Sequence, residues 1–294
     1  MISKMKKSNR IDLHTHTTAS DGTLSPAKLA RLAAKEGLVA FAVTDHDTVA
    51  GVTSAMAEGA RRGVDVITGV EISLDYKGPK VDGRSAWMHL LVYHLPLGGP
   101  LAKKLGELQQ WRAERNVRII AKLCDMGLNM TLDEVAAASG GGQIGRPHFA
   151  KVMLDKGYVE TRQEAFDRYL TKDAPAYEDK RRLSPDDAIS RARAEGAVPV
   201  IAHPYSLGLE GDALRENIAH WRDQGLCGLE VIYPEHGPEL REKLTALADD
   251  LGLIITGGSD FHGDNKPDIE LGRGRNGNVT VPASVLLDIR ARVS

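Results

Sequence analysis

The sequence is poor in cysteine. It has two, Cys124 and Cys227, far apart in the chain, at no zinc-ligand spacing, and each among apolar neighbours. Both are expected to act as small buried hydrophobes rather than as thiolate ligands. No apolar stretch approaches the roughly 20 residues that span a bilayer. The basic start, Met1 to Arg10, lacks the apolar run of a secretory signal. A net charge of -2 argues against a strongly electropositive nucleic-acid clamp and leaves room only for a local basic cleft. Internal repeats and low-complexity segments are also missing. These absences lead to the expectation of an ordinary cytoplasmic protein, with 294 residues to build a sizeable core.

What the sequence does have is histidine beside carboxylate, repeatedly, where apolar runs end. The stretch Ile11–His16 reads IDLHTH, with Asp21 close behind. A strand sends alternate side chains to opposite faces, so His14 and His16 project the same way. Two imidazoles side by side make a poor core and a good half of a metal site. The second apolar run, Leu38 to Val43, stops at Asp45-His46, and the third, Val64 to Val70, stops at Glu71. A fourth, Ala86 to Leu95, holds His89 and His94, whose odd spacing puts them on opposite faces, so only one of them can join a common site. Helical patterns between these runs open at Ser25-Pro26 and close at Gly37 and Gly63.

The strand rhythm then breaks. From about Pro100 to Leu183 only helical patterns occur, with capping-box forms at Thr131–Glu134 and Thr161–Glu164. Gly140 to Gly142 is not a P-loop, since no Gly-Lys-Ser/Thr follows, and it reads as a connector. Alternation returns at Ser184-Pro185. Three more strands are expected, the first ending at His203, the second containing Glu230, and the last ending at Asp260 and His262. Glu230 is open between orienting a ligand and being a satisfied buried carboxylate.

Seven strands with ligand chemistry at one end are the pattern of a parallel α/β barrel, whose working groups gather at the C-terminal ends of the strands. Imidazoles and carboxylates without thiolates suit Mn²⁺, Zn²⁺ or Fe²⁺. The ligands outnumber what one ion can use, so two or three divalent ions are implied. Paired ions activate water and steady the oxygens of a phosphoester, which points to metal-assisted phosphoester hydrolysis.

These residues resemble the polymerase and histidinol phosphatase (PHP) superfamily. The resemblance rests on Asp12–His16, Thr44–His46, His203-Pro204 and Ser259–His262, which together span the chain apart from the helical insertion. The insertion, with Gly145–His148, looks like that of bacterial nucleoside 3',5'-bisphosphate phosphatases, a branch that includes 5'-to-3' exonucleases acting on short RNA. The resemblance implies a distorted (β/α)7 TIM-like barrel formed by residues 1–99 and 184–294, with a small helical insertion or cap domain at 100–183. It also implies a first ion on His14, His16, Glu71 and Asp260, a second sharing Glu71 with His89 and His203, and a third on Asp21, His46 and His262. Asp45 is expected to orient an imidazole. Arg146 and His148 are expected to bind the substrate phosphate, with His148 binding it or protonating the leaving oxygen. The expected substrate is a nucleotide or short RNA, with no membrane and no obligate protein partner evident. The alternatives are a histidinol-phosphate phosphatase, a metal-dependent amidohydrolase and a metal-bearing module without turnover. The amidohydrolase reading needs a lysine on the fourth strand, and Met88 to Leu95 has none.

Overall fold

The computed structural model describes residues 9–81, 84–139 and 144–294, so the expected connector at Gly140 to Gly142 lies outside the described residues. The first strand-helix units are β1 (Arg10–Asp12), α1 (Pro26–Lys35), β2 (Ala40–Val43), α2 (Val52–Arg62) and β3 (Asp65–Ser73). A short antiparallel pair, β4 (Lys80–Val81) and β5 (Arg84–Ser85), precedes β6 (His89–Tyr93). The helical stretch holds α3 (Pro100–Asp125), α4 (Leu132–Ala138), α5 (Arg146–Asp155) and α6 (Arg162–Ala165), which runs into a π-helical turn at Phe166–Leu170. Then come α7 (Pro185–Ala194), β7 (Val198–Ile201), α8 (Gly211–Asp223), β8 (Gly228–Ile232), α9 (Pro238–Asp250) and β9 (Ile254–Gly257). The chain closes with β10 (Ile269–Glu270), β11 (Gly274–Arg275), β12 (Val281–Pro282) and α10 (Val285–Arg290).

Eight strands form one sheet in the order β12-β1-β2-β3-β6-β7-β8-β9. β1 to β3 are parallel to one another, as are β7 to β9. β6 runs antiparallel to both of its neighbours, β3 and β7. The sequence reading of a fourth barrel strand in the common direction is corrected here. Parallel pairing needs a crossover, usually a helix, whereas the described residues that join β3 and β6 hold no regular structure but the β4–β5 pair. The reversal has a consequence for the site: the first residue of β6, rather than its last, stands on the rim where its neighbours end.

The sheet curls until its first and last parallel strands meet. Leu13 N–H donates to Gly257 O at 3.3 Å, Asp260 N–H to His14 O at 2.9 Å, and His16 N–H to Phe261 O at 2.9 Å. Fully buried Asp12 locks this seam. Its Oδ1 accepts from His14 N at 3.2 Å and Ser259 N at 2.9 Å, and its Oδ2 accepts from Ser259 Oγ at 2.5 Å and Gly272 N at 2.7 Å.

Two compact units emerge, residues 1–105 with 182–294, and residues 106–181. In the first, Phe41 and Val43 pack outward with Leu29 and Ala33 of α1 and Ala55 of α2. Alternation therefore turns Ala40 and Ala42 inward, where they meet Leu13, Leu91, Tyr93, Val200 and Ile289. Cys227 belongs to this interior, while Cys124 is only half-buried, its thiol near Met130 O. The second unit has its own core, built from Ile119, Leu123, Val135, Phe149, Met153 and Leu170. Its α4 is held by a complete capping box, Thr131 with Glu134. At Thr161 only one arm forms, because the Glu164 carboxylate accepts from Glu160 N instead. No helix among the described residues is long and apolar enough to cross a membrane.

Asp12→Ala leaves four buried donors without their acceptor and is expected to cost the metal-free protein about 3 kcal/mol or more. Asp12→Asn should cost less, because one oxygen remains. Urea denaturation followed by circular dichroism checks this, and equal midpoints for all three proteins would contradict the role given to Asp12.

Candidate metal centre

Six strands of the sheet deliver the candidate ligands. The loop after β1 brings His14, His16 and Asp21, the loop after β2 brings Asp45 and His46, and β3 brings Glu71 from within the strand. β6 brings His89 from its first residue, β7 is followed by His203, and β9 is followed by Asp260 and His262. His94 falls at the other end of β6 and takes no part in the cluster, which resolves the choice between the two histidines.

Glu71 stands at the centre, 1% exposed. Its Oε2 lies 3.2 Å from His14 Nε2, 3.2 Å from His16 Nε2 and 3.1 Å from His46 Nδ1. Its Oε1 lies 2.8 Å from His89 Nδ1 and 2.9 Å from His203 Nε2. Asp260 Oδ1 approaches His14 and His16 at 3.5 and 3.3 Å. Asp21 joins the outer side, with Oδ1 3.2 Å from His262 Nε2 and Oδ2 3.7 Å from His46 Nε2. Among the described residues, four overlapping groups are close enough to hold an ion: His16, Asp21, His46 and His262; His14, Glu71 and His203; His14, His16 and Asp260; His46, Glu71 and His89. All nine side chains expected from the sequence are in this set. The groups overlap differently from the three-way division drawn above, because His16 also joins the Asp21 group.

The donor set fits divalent ions. His14 Nε2, His16 Nε2 and Glu71 Oε2 are buried and have no hydrogen-bond partner. Buried polar atoms are normally satisfied, so three that converge without a bond leave their lone pairs for a cation. The electrostatics agree. Burial works against the charged form of Glu71, but His46, His14 and His89 outweigh it and hold the carboxyl well below its ordinary range. Burial also works against a charged His14, and Glu230, Glu71 and Asp260 overcome it, raising His14 well above the ordinary imidazole value, so that the acids around it draw a proton where a metal cation would replace it. Burial pushes His46 and His203 down to about 4, so both offer neutral nitrogens.

Outer contacts fix these rings. Glu230, undecided from sequence, is buried with Oε1 2.9 Å from His14 Nδ1, and its Oε2 accepts from His203 N at 2.8 Å. It aims His14 Nε2 at Glu71. Asp45 is linked to the His16 ring through Ser20. Its oxygens accept from Thr17 N, Thr17 Oγ1 and Ser20 Oγ, each at 2.7 Å, and Ser20 Oγ in turn lies 3.4 Å from His16 Nδ1. The acid therefore shapes the loop that carries His16. Asp260 Oδ2 accepts from Tyr233 Oη at 2.8 Å and from Lys266 Nζ at 2.5 Å, contacts that the sequence did not signal. Gly258 was legible only as a glycine; a Cβ there would stand 2.3 Å from His14 Cβ.

Arg146 and His148 lie in the second unit, at the start of α5. Arg146 Nη1 donates to Leu170 O at 2.9 Å, and its guanidinium sits 5.2 Å from the Tyr177 ring centre. His148 Nδ1 accepts from Gly145 N at 3.0 Å, and burial lowers its pKa. A neutral ring accepting at Nδ1 carries its proton on Nε2, which suits hydrogen-bond donation better than acid catalysis. His220 pairs with Asp186 on the surface, and His236 is buried with Nδ1 2.9 Å from Val231 O.

The PHP domain model matches residues 12–168, more than half of the chain. The chain belongs to the PHP family. Across nearly the full length, the PHP relatives include a 5'-3' exoribonuclease of Haemophilus influenzae, 32% identical and aligned over 86% of this chain and 90% of that protein. A 3',5'-nucleoside bisphosphate phosphatase of Chromobacterium violaceum is 32% identical over 86% of this chain and 87% of its own. A solved structure from Bifidobacterium adolescentis, assigned as a metal-dependent phosphoesterase, superposes with a TM-score of 0.73 at 30% identity, covering 97% of this chain and 96% of the other. As a PHP member the chain is a metal-dependent phosphoesterase, with His, Glu and Asp clusters able to hold its ions.

Glu230→Gln places an amide against the His203 N–H and weakens the acceptor for His14, so metal affinity should fall roughly 10- to 100-fold. Competition with a fluorescent chelator measures it. Unchanged affinity would mean that Glu230 does not orient the site.

Proposed function

We propose that this chain removes phosphate from nucleoside 3',5'-bisphosphates and releases mononucleotides from the 5' end of short 5'-phosphorylated RNA, in the cytoplasm. The observation that carries this reading is the pair of relatives with these two activities in their names, each aligned over most of its length. The proposal keeps the ligand division that the family resemblance implies. His14, His16 and Asp260 with Glu71 hold one ion, Glu71 with His89 and His203 a second, and Asp21, His46 and His262 a third. Mn²⁺, Zn²⁺ or Fe²⁺ suits this mixture of imidazole and carboxylate.

Bound ions of this kind supply an activated water and neutralise charge as it develops on phosphate oxygens. The protein's part is positioning. Glu71, with Oε2 facing His14, His16 and His46 and Oε1 facing His89 and His203, would be a ligand to two of the ions. Glu230 holds the proton of His14 on Nδ1 and leaves Nε2 as the donor atom, given the 2.9 Å contact between them. Tyr233 and Lys266 hold Asp260 from the side away from the histidines. Arg146 and His148 act as phosphate-binding residues in this reading, since an arginine and an imidazole N–H both donate to phosphate oxygens.

The test is incubation with Mn²⁺ and either adenosine 3',5'-bisphosphate or a 5'-phosphorylated short RNA, with chromatography of the products. Adenosine 5'-phosphate from the first and mononucleotides from the second are expected, with both lost on chelation and in His14→Ala. Turnover of histidinol phosphate with neither nucleotide substrate cleaved would reject the proposal.

A further inference from the structure

We propose that Trp87 and Tyr205 form an aromatic platform that stacks the base of the nucleotide whose phosphate is hydrolysed at the metal centre. The inference rests on the nucleotide reading above and adds the part of the substrate that the metal centre does not hold.

Among the described residues, seven large apolar side chains stand exposed, and only Trp87 (39%) and Tyr205 (42%) are aromatic. The other five (Met56, Val117, Met126, Leu287 and Val293) are aliphatic or sulfur-containing side chains. The two exposed rings flank one site. Trp87 precedes the ligand candidate His89 by two residues, and Tyr205 follows His203 by two. The indole centre lies 4.7 Å from the His89 ring and 4.5 Å from the His203 ring. Trp87 and Tyr205 are 6.3 Å apart and nearly perpendicular, at 84°. One planar group can therefore lie on the face of one ring and against the edge of the other, an arrangement aromatic quadrupoles favour.

The platform is held in place rather than loose. Trp87 N donates to Ser206 O at 3.0 Å, tying its segment to the turn after His203. Tyr205 stacks on Tyr233 at 5.9 Å and 30°, and Tyr233 is hydrogen-bonded to Asp260. Both rings are thus braced against the metal-ligand shell. Exposed rings at the mouth of a buried polar site are unfavourable in water and favourable under a flat apolar partner. A base one ribose away from a phosphate at the ions is such a partner. Stacking tolerates every base, so the platform predicts a nucleotide enzyme indifferent to base identity and demanding of base presence.

The test compares adenosine 3',5'-bisphosphate with its base-free 1-deoxyribose 3,5-bisphosphate counterpart. With the wild-type enzyme, kcat/KM should favour the nucleotide roughly 5- to 100-fold, mostly through KM. In Trp87→Ala that ratio should collapse towards one, while Trp87→Phe should keep most of it. Metal content measured on the same samples distinguishes stacking from damage to His89 and His203. As an activity-free readout, adenosine 3',5'-bisphosphate should quench tryptophan emission in the wild type and fail to do so in Trp87→Phe. An unchanged ratio in Trp87→Ala with full metal content, or equal quenching in both proteins, would overturn the platform. Failure of both bisphosphates as wild-type substrates would instead overturn the nucleotide reading beneath it.

Discussion

One buried carboxylate facing five imidazoles is the constraint around which this protein is arranged. Glu71 cannot satisfy His14, His16, His46, His89 and His203 at once, having two oxygens for five rings. Without cations the arrangement would leave buried nitrogens unbonded, an expensive condition in a folded protein. The surrounding shell does not relieve this crowding. Glu230, Ser20 and Ser206 hold the far sides of His14, His16 and His203, which points their remaining nitrogens inward. The site is built to be completed by positive charge.

The barrel explains how five rings from separated segments reach one acid. Four of the contributing strands end at the same rim, and β6 reverses so that its first residue arrives there as well. Two ligand candidates sit in the left-handed backbone region, His203 at φ 30° and Asp260 at φ 56°. A non-glycine residue in that region costs about 1–3 kcal/mol and persists where its surroundings over-determine it. Here the surroundings are visible: His203 N is bound by Glu230, and Asp260 N by His14 O across the barrel seam. Strain is thus stored where the chain must turn its ligands inward.

Much of this was legible in the sequence, for identifiable reasons. His14 and His16 declared themselves by period-two spacing, and Asp260 and His262 repeated it. Spacing alone left the choice between His89 and His94 open, since it depends on strand direction; the family resemblance pointed to His89, which lies with His46 and Glu71. Asp45 was legible as an acid behind the ligands, but the route was not, since its oxygens accept from Thr17 and Ser20 and reach the His16 ring through Ser20. Glu230 stayed open because the face it presents depends on neighbouring strands. Trp87, Tyr205, Tyr233 and Lys266 carry no local motif at all; their roles come from contacts between segments far apart in the chain.

The central claim is that Glu71 is shared between ions, and metal counting tests it most directly. Elemental analysis of the Mn²⁺-loaded protein should give two or three ions per chain. Glu71→Ala should lose more than one of them while retaining the far-ultraviolet circular dichroism of the fold. A single ion in the wild type, or full occupancy in Glu71→Ala, would contradict a shared centre and leave Glu71 as a carboxylate beside histidines that work separately.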